Sequence, residues 1–283
     1  MKFLDNKKEK NIIGVFDSGL GGLSVLKNFL KLLPEYNYLY LGDNARVPYG
    51  EKSPEVIYDY STQAVDFLFT KGCNLIIIAC NTASAQALAK IQQEYLPKYY
   101  SNRRVLGVIR PLAEAAANSK KKNIGVIGTR STINSQTYTK EIKKINSKIK
   151  VESKASPLLV PLIEEGWSKK PETKMILKKY LHPLKTKQIE MLILGCTHYP
   201  FLIKDIRRIC GKKIAVPDPG EIVAESLKIY LETHPELKLK KVKNPSRTFY
   251  STDKNGLFKT LGEKFLGQKI DNFKSAKLSS PKL

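Results

Sequence analysis

Two apolar runs that each end in a cysteine constrain this chain more than anything else in it. LIIIACNTA carries Cys80 and MLILGCTHY carries Cys196. Runs this short, this rich in Ile and Leu and without polar alternation suit strands buried on both faces, as in a parallel sheet. Each cysteine then stands at the C-terminal edge of its strand, where open α/β sheets place their ligands. Polar side chains that suit a small anion follow each one: Asn81 and Thr82 after the first, Thr197 and His198 after the second. Two equivalent thiols facing one pocket from opposite sides would let one face remove a proton and the other return it.

The two halves match elsewhere. IIGVFDSGLGG runs from an apolar strand into a polar, Gly-rich loop at Asp17 and Ser18, and KNIGVIGTRST has the same shape with Thr129 and Thr132 in its loop. Gly14 and Gly125 are 111 positions apart, and Cys80 and Cys196 are 116 apart. Any α/β protein repeats strand and polar loop, but paired cysteines at nearly the same offset argue for a duplicated βαβ-type unit.

Periodicity fills in the rest. Strands are expected at 12–16, over YNYLYLGD, up to Cys80, over VLGVIRP, over NIGVIG, near VESKA, up to Cys196 and over RTFYSTD. Helices are expected from Leu23 to Leu33 before Pro34, from Pro54 toward Lys71, and from Ala83 to Tyr95. Further helices are expected over STINSQTYTKEIKKI, 172–183, Phe201 to Ile209, from about Glu221, and over GLFKTLGEKFL, with the Lys/Ser-rich tail frayed. Alternating strands and helices define a mostly parallel α/β architecture.

The chain has 283 residues, enough for one large domain or two ordinary ones. No apolar run is long enough to span a bilayer, and MKFLDNKKEKN lacks the apolar stretch of a signal peptide. A cytoplasmic protein with no membrane contact is therefore expected, and its four cysteines are expected to be reduced. Their spacing includes no CxxC, so no metal site is read. The net charge of +23 invites a nucleic-acid reading. It is weighed down because the excess is almost all lysine, with only eight arginines, and is spread along the chain. A solvated basic surface accounts for it, and nucleic acid is not the expected partner.

The chemistry centres on Cys80 and Cys196 as acid and base. A free cysteine usually behaves as a small buried hydrophobe, and Cys73 and Cys210 are read that way. The other two occupy equivalent strand ends, and a thiol with a reference pKa near ~8.5 can exchange a proton at neutral pH. Asp17 reads either as a helix N-cap or as a site group. Its loop, DSGLGG, is rich in amides that suit a carboxylate or phosphate, but it lacks the dinucleotide pattern. His198, one of three histidines, lies two residues beyond a candidate thiol and so reads as functional. Glu164 and Glu165 in PLIEEG are either exposed or, in one case, turned inward as an acid partner, and the residues alone do not choose.

Together, GVFDSGLGGLSVL, YLGDNARVPYG, IIIACNTASA, PLIEEGW and ILGCTHYP resemble the bacterial glutamate racemases of the aspartate/glutamate racemase superfamily. The likeness runs from about residue 12 to 225, and TFYSTD with KFLG extends it weakly to about 267. It implies two similar α/β domains related by a pseudo-twofold axis, with the active site in the cleft between them. Residues 1–107 with 217–283 would form one domain, and 108–216 the other. The resemblance implies cofactor-independent interconversion of L- and D-glutamate for peptidoglycan synthesis, with neither pyridoxal phosphate nor metal. A homodimer is expected, since relatives form dimers. Cys80 and Cys196 would be the proton carriers, assisted by Asp17, Glu164 and His198, the likeness choosing Glu164 over Glu165. Substrate contacts would come from Asp17, Ser18, Tyr49, Gly50, Asn81, Thr82, Thr197 and His198.

The chain departs from the family pattern at Leu112, and at Pro217 and Pro219 in VPDPGEIVA, which leaves the geometry of the domain crossing open. The alternatives are an aspartate or related amino-acid racemase, a DNA-binding or gyrase-inhibiting second activity, and a thiol redox protein with the two cysteines close enough to bond.

Overall fold

The computed structural model describes residues 10–253 and 257–279. Its strands in chain order are β1 (Ile12–Asp17), β2 (Asn37–Gly42), β3 (Cys73–Ile78), β4 (Arg104–Gly107), β5 (Asn123–Gly128), β6 (Lys150–Ala155), β7 (Met191–Gly195), β8 (Arg247–Ser251) and β9 (Phe273–Ser275). One sheet has the order β4-β3-β1-β2-β8-β9 and the other the order β6-β5-β7. Every ladder is parallel. The repeat inferred from the halves is visible in this order. β1 lies between β2 and β3, and β5 lies between β6 and β7, so the strands leading to Cys80 and Cys196 hold equivalent places.

The uninterrupted apolar runs form the centre of each sheet because helices cover both faces. Leu75, Ile76 and Ile78 of β3, with Ile13, Val15 and Phe16 of β1, are wholly buried. Helix Pro54–Thr70 covers one face of the larger sheet. Its start is set by Pro54 in the first turn and by the Ser53 hydroxyl accepting from the Val56 amide. Helices Leu23–Leu32 and Pro219–Thr233 pack against each other on the opposite side. The second of these begins at Pro219, two residues before the expected start, because the Asp218 carboxylate accepts from the Gly220 amide. Pro219 is thus a helix-initiating residue, and Leu112 is a buried residue of helix Ile109–Ala117.

Four expectations are corrected. VLGVIRP is a strand only to Gly107; from Ile109 it is helix, with Pro111 in the first turn, where a missing N–H costs nothing. The helix expected over 131–145 is two, Arg130–Asn134 and Thr137–Ile145, parted by Gln136 at φ 55°. The helix expected from Ala83 to Tyr95 starts at Asn81, breaks after Gln86, resumes at Leu88–Lys90 and widens into a π turn over Ile91–Tyr95. The tail is paired rather than frayed as far as Ser275, which adds β9 to the sheet edge, while residues 280–283 lie outside the described residues. Among the described residues no helix is long and apolar enough to cross a membrane.

Candidate active site

The loops after β1, β3, β5 and β7 converge on a cavity of about 230 Å³. Ser18, Tyr49, Gly50, Cys80, Asn81 and Thr82 reach it from the larger sheet; Glu164, Cys196, Thr197 and His198 reach it from the smaller one. All four cysteines are free thiols, and Cys73 and Cys210 are buried away from the cavity. The place of Cys80 follows from its position two residues past β3. There it caps helix Asn81–Gln86, its sulfur accepting from the Ala83 amide at 3.5 Å. Its thiol donates to Ser18 Oγ at 3.3 Å. Cys196 directly follows β7, and its sulfur is 3.9 Å from His198 Nδ1.

The two thiols sit in opposite electrostatic settings. Beside Cys80 lies Asp17, completely buried at the end of β1. Burial raises the Asp17 pKa, against the His198 charge and hydrogen bonds from Gly22, Gly19 and Thr197. Burial and then the Asp17 charge push the Cys80 thiol up to about 12, although the bonds to Ser18 and Ala83 oppose this. Beside Cys196 lies His198, whose Nε2 is 2.9 Å from Glu164 Oε1. Burial alone would lower the His198 pKa. Its contacts with the Cys196 sulfur and with Glu164 outweigh burial and raise it to about 10. At neutral pH His198 is therefore an imidazolium held between a sulfur and a carboxylate. Burial and Asp17 hold the Cys80 thiol protonated, whereas Cys196 faces an imidazolium.

Asp17 is not an N-cap. Helix Leu23–Leu32 is capped by Gly22 without a side-chain bond, whereas Asp17 accepts from the Gly19 amide at 3.1 Å and from the Thr197 hydroxyl at 3.3 Å. Its carboxylate does not line the cavity but ties the first strand of one sheet to the loop that bears Cys196. The Gly-rich loop allows this closeness, since a Cβ on Gly21 would sit 2.5 Å from His198 Nδ1 and would also strike the Thr197 hydroxyl. Glu164 is the C-terminal residue of helix Leu159–Glu164 and meets His198. Glu165 lies on the rim without touching His198.

Tyr49 lines the cavity, but its hydroxyl points to buried Asp43, donating to Oδ2 at 2.5 Å. Asp43 also accepts from Arg46 Nε at 2.7 Å and from the Thr252 hydroxyl at 2.8 Å, so it anchors the 44–51 loop to the strand after which it stands. The Asn81 carbonyl accepts from the Tyr138 hydroxyl at 2.5 Å, which leaves its N–H groups for a ligand.

Sequence reasoning noted Thr129 and Thr132 in the repeated loop but gave them no role. Their hydroxyls are 2.9 Å apart, and Thr82 Oγ1 is 2.9 Å from one and 3.2 Å from the other. This triangle joins the two sheets beside Cys80. Its only sequence signal is the parallel between GTRST and DSGLGG. Asp43, Tyr138 and Arg130 were also missed. Among the described residues no group of three or more His, Cys, Asp and Glu could hold a metal ion.

Two parallel sheets of matching strand order bring Cys80 and Cys196 to one small cavity, and comparison with known proteins places this fold among the racemases. The chain belongs to the Asp/Glu/hydantoin racemase family, whose model matches residues 13–227. It is 40% identical over 276 residues to the glutamate racemase of Geobacter metallireducens, covering 95% of this chain and 98% of that one. The glutamate racemase of Neisseria meningitidis is equally similar, at 40% over 276 residues, covering 97% of this chain and 100% of that one. Among solved structures, a glutamate racemase isoform of Bacillus anthracis matches with a TM-score of 0.89 at 35% identity, covering 95% of this chain and 98% of that one. The glutamate racemase of Francisella tularensis in complex with D-glutamate matches with a TM-score of 0.87 at 37% identity, covering 98% and 100%. The aspartate racemase of Picrophilus torridus, at 20% identity and a TM-score of 0.53, shares the fold alone.

Proposed function

We propose that this chain interconverts L- and D-glutamate without a cofactor, supplying D-glutamate for peptidoglycan synthesis. The opposed settings of Cys80 and Cys196 across one cavity carry the reading, and near-full-length likeness to glutamate racemases supplies the substrate. The reaction needs one thiolate and one thiol. A thiolate takes the α-proton on one face of the substrate, and the electron pair passes into the α-carboxylate. The opposite thiol then delivers its proton to the other face and becomes the thiolate. We assign the base to Cys196 because it faces the His198 imidazolium, and the acid to Cys80, whose thiol is held protonated.

No Schiff base absorbs the developing charge, so fixed donors on the cavity wall must stabilise it: the Asn81 amide and the hydroxyls of Thr82 and Thr129. Ser18, Tyr49 and Gly50 complete the substrate-binding set from the larger sheet. Asp17 and Glu164 act through their neighbours, Asp17 on Cys80 and Thr197, and Glu164 on His198. We assign the described residues up to 107 and from 217 onward to one domain and 108–216 to the other, so that closing the cleft would exclude water from the thiols. The enzyme acts in the cytoplasm as a homodimer.

The test is circular dichroism of purified protein with D- or L-glutamate in chelator, without added cofactor. Both enantiomers should converge on a racemic mixture, with α-deuterium incorporated in heavy water. An unchanged signal from glutamate with a changing one from aspartate would move the activity to the other amino acid, and a chelator-sensitive rate would refute the cofactor-free chemistry.

A further inference from the structure

A dicarboxylic amino acid carries net negative charge, yet the carboxylates of Glu51, Glu164 and Glu165 line the cavity it must enter. The imidazolium of His198 is already held by Glu164 at 2.9 Å. Among the described residues, Arg130 is the one arginine or lysine on the cavity wall. It follows Thr129 as the first residue of helix Arg130–Asn134. The Thr129 hydroxyl accepts from the Thr132 amide at 3.2 Å and lies 2.9 Å from Thr82 Oγ1, so the backbone bearing Arg130 is pinned to both sheets. The guanidinium itself is exposed and makes no hydrogen bond or ion pair with any described residue. A planar cation with five donors, anchored at a cavity mouth and lacking a carboxylate partner, suits one carboxylate in bidentate contact.

We propose that Arg130 is a specificity-determining residue that draws the substrate in by one of its two carboxylates and partly counters the Glu51 and Glu165 carboxylates on the wall. It rests on the reading of this cavity as a glutamate site. The contact is made at the mouth, where the field of one uncompensated cation reaches about one Debye length, ~8–10 Å at ordinary salt. It acts on capture rather than on the proton transfer between the thiols.

Steady-state kinetics with both enantiomers test this in the wild type, Arg130→Ala, Arg130→Lys and Arg130→Glu, each at ionic strengths from ~10 to ~200 mM. Arg130→Ala should raise KM about tenfold for D- and L-glutamate alike and leave kcat within about threefold, the scale of one partly exposed charged contact. Arg130→Lys should recover part of the loss, and Arg130→Glu should deepen it. The wild-type fall of kcat/KM with salt should flatten in Arg130→Ala. KM within twofold of wild type in Arg130→Ala, with glutamate turned over normally by the wild type, overturns the assignment and leaves the racemase reading standing. A loss in Arg130→Ala with the wild-type salt dependence kept and no recovery in Arg130→Lys overturns it too, because that pattern marks a structural role. A wild type inactive on both enantiomers removes the racemase reading and this proposal with it.

Discussion

Replacing His198 with Asn removes the one cation beside Cys196 while keeping a short polar side chain. Nδ1 lies 3.9 Å from the Cys196 sulfur, and the residue is 5% exposed. At that separation a unit charge pair is worth about 4 kcal/mol at an effective dielectric constant near 20. At about 1.36 kcal/mol per factor of ten this is nearly three orders of magnitude. Water entering beside the neutral amide returns part of it, so kcat/KM should fall by roughly 10²–10³. The enantiomers have equal free energy, so kcat/KM must fall by the same factor in both directions, whichever thiol starts the reaction. Circular dichroism progress curves from each enantiomer measure both values. His198→Asn within threefold of wild type in kcat/KM would refute the role given to the imidazolium beside Cys196. The stability of the fold supplies an independent check. The folded pKa of His198, about 10, is raised above an unfolded value near ~6.5. Its contribution is therefore fully present below ~6.5 and is lost as pH rises toward the folded value. The Tm gap between wild type and His198→Asn should be widest at pH 6 and should close toward pH 10.

Cys80→Ala and Cys196→Ala should each abolish racemisation, whereas Cys73→Ala and Cys210→Ala should keep it, since neither sulfur lines the cavity; turnover by either of the first two would end the two-base mechanism. Asp17→Asn should lower the Cys80 pKa from about 12, because the Asp17 charge is the second-largest cause of its rise. Iodoacetamide should then alkylate Cys80 several-fold faster at pH 8, as read by mass spectrometry, and an unchanged rate would show that Asp17 does not hold this thiol protonated. Gly50→Ala would place a Cβ 2.7 Å from the Thr129 Cβ, forcing the 49–51 turn away from the threonine triangle. We expect kcat/KM to drop at least tenfold with Tm changed by only a few degrees, and a fully active variant would show that this contact is not needed for a productive cleft.

The strands ending near Cys80 and Cys196 were legible because burial on both faces demands an uninterrupted apolar run, and such a run needs no knowledge of its partners. The start of helix Pro54–Thr70 was legible for a similarly local reason, a serine cap followed by proline. The matched cysteines, and with them the proposed chemistry, were visible because a duplicated unit repeats its spacing along the chain. Other features depended on contacts that no local pattern records. Asp17 looked like a cap, but its Thr197 partner is 180 residues away. The Thr82–Thr129–Thr132 triangle joins loops 47 and 50 residues apart. Glu164 was distinguished from Glu165 only by resemblance until the fold put His198 within 2.9 Å of it. The tail gave no strand signal, yet it pairs as β9 because β8 leaves an open edge beside it. Periodicity and capping act over a few residues, so the chain by itself determined which segments become strands and where the thiols stand on them. The electrostatic character of each thiol was decided by charges brought from distant segments into a buried cavity, where low dielectric makes their placement count.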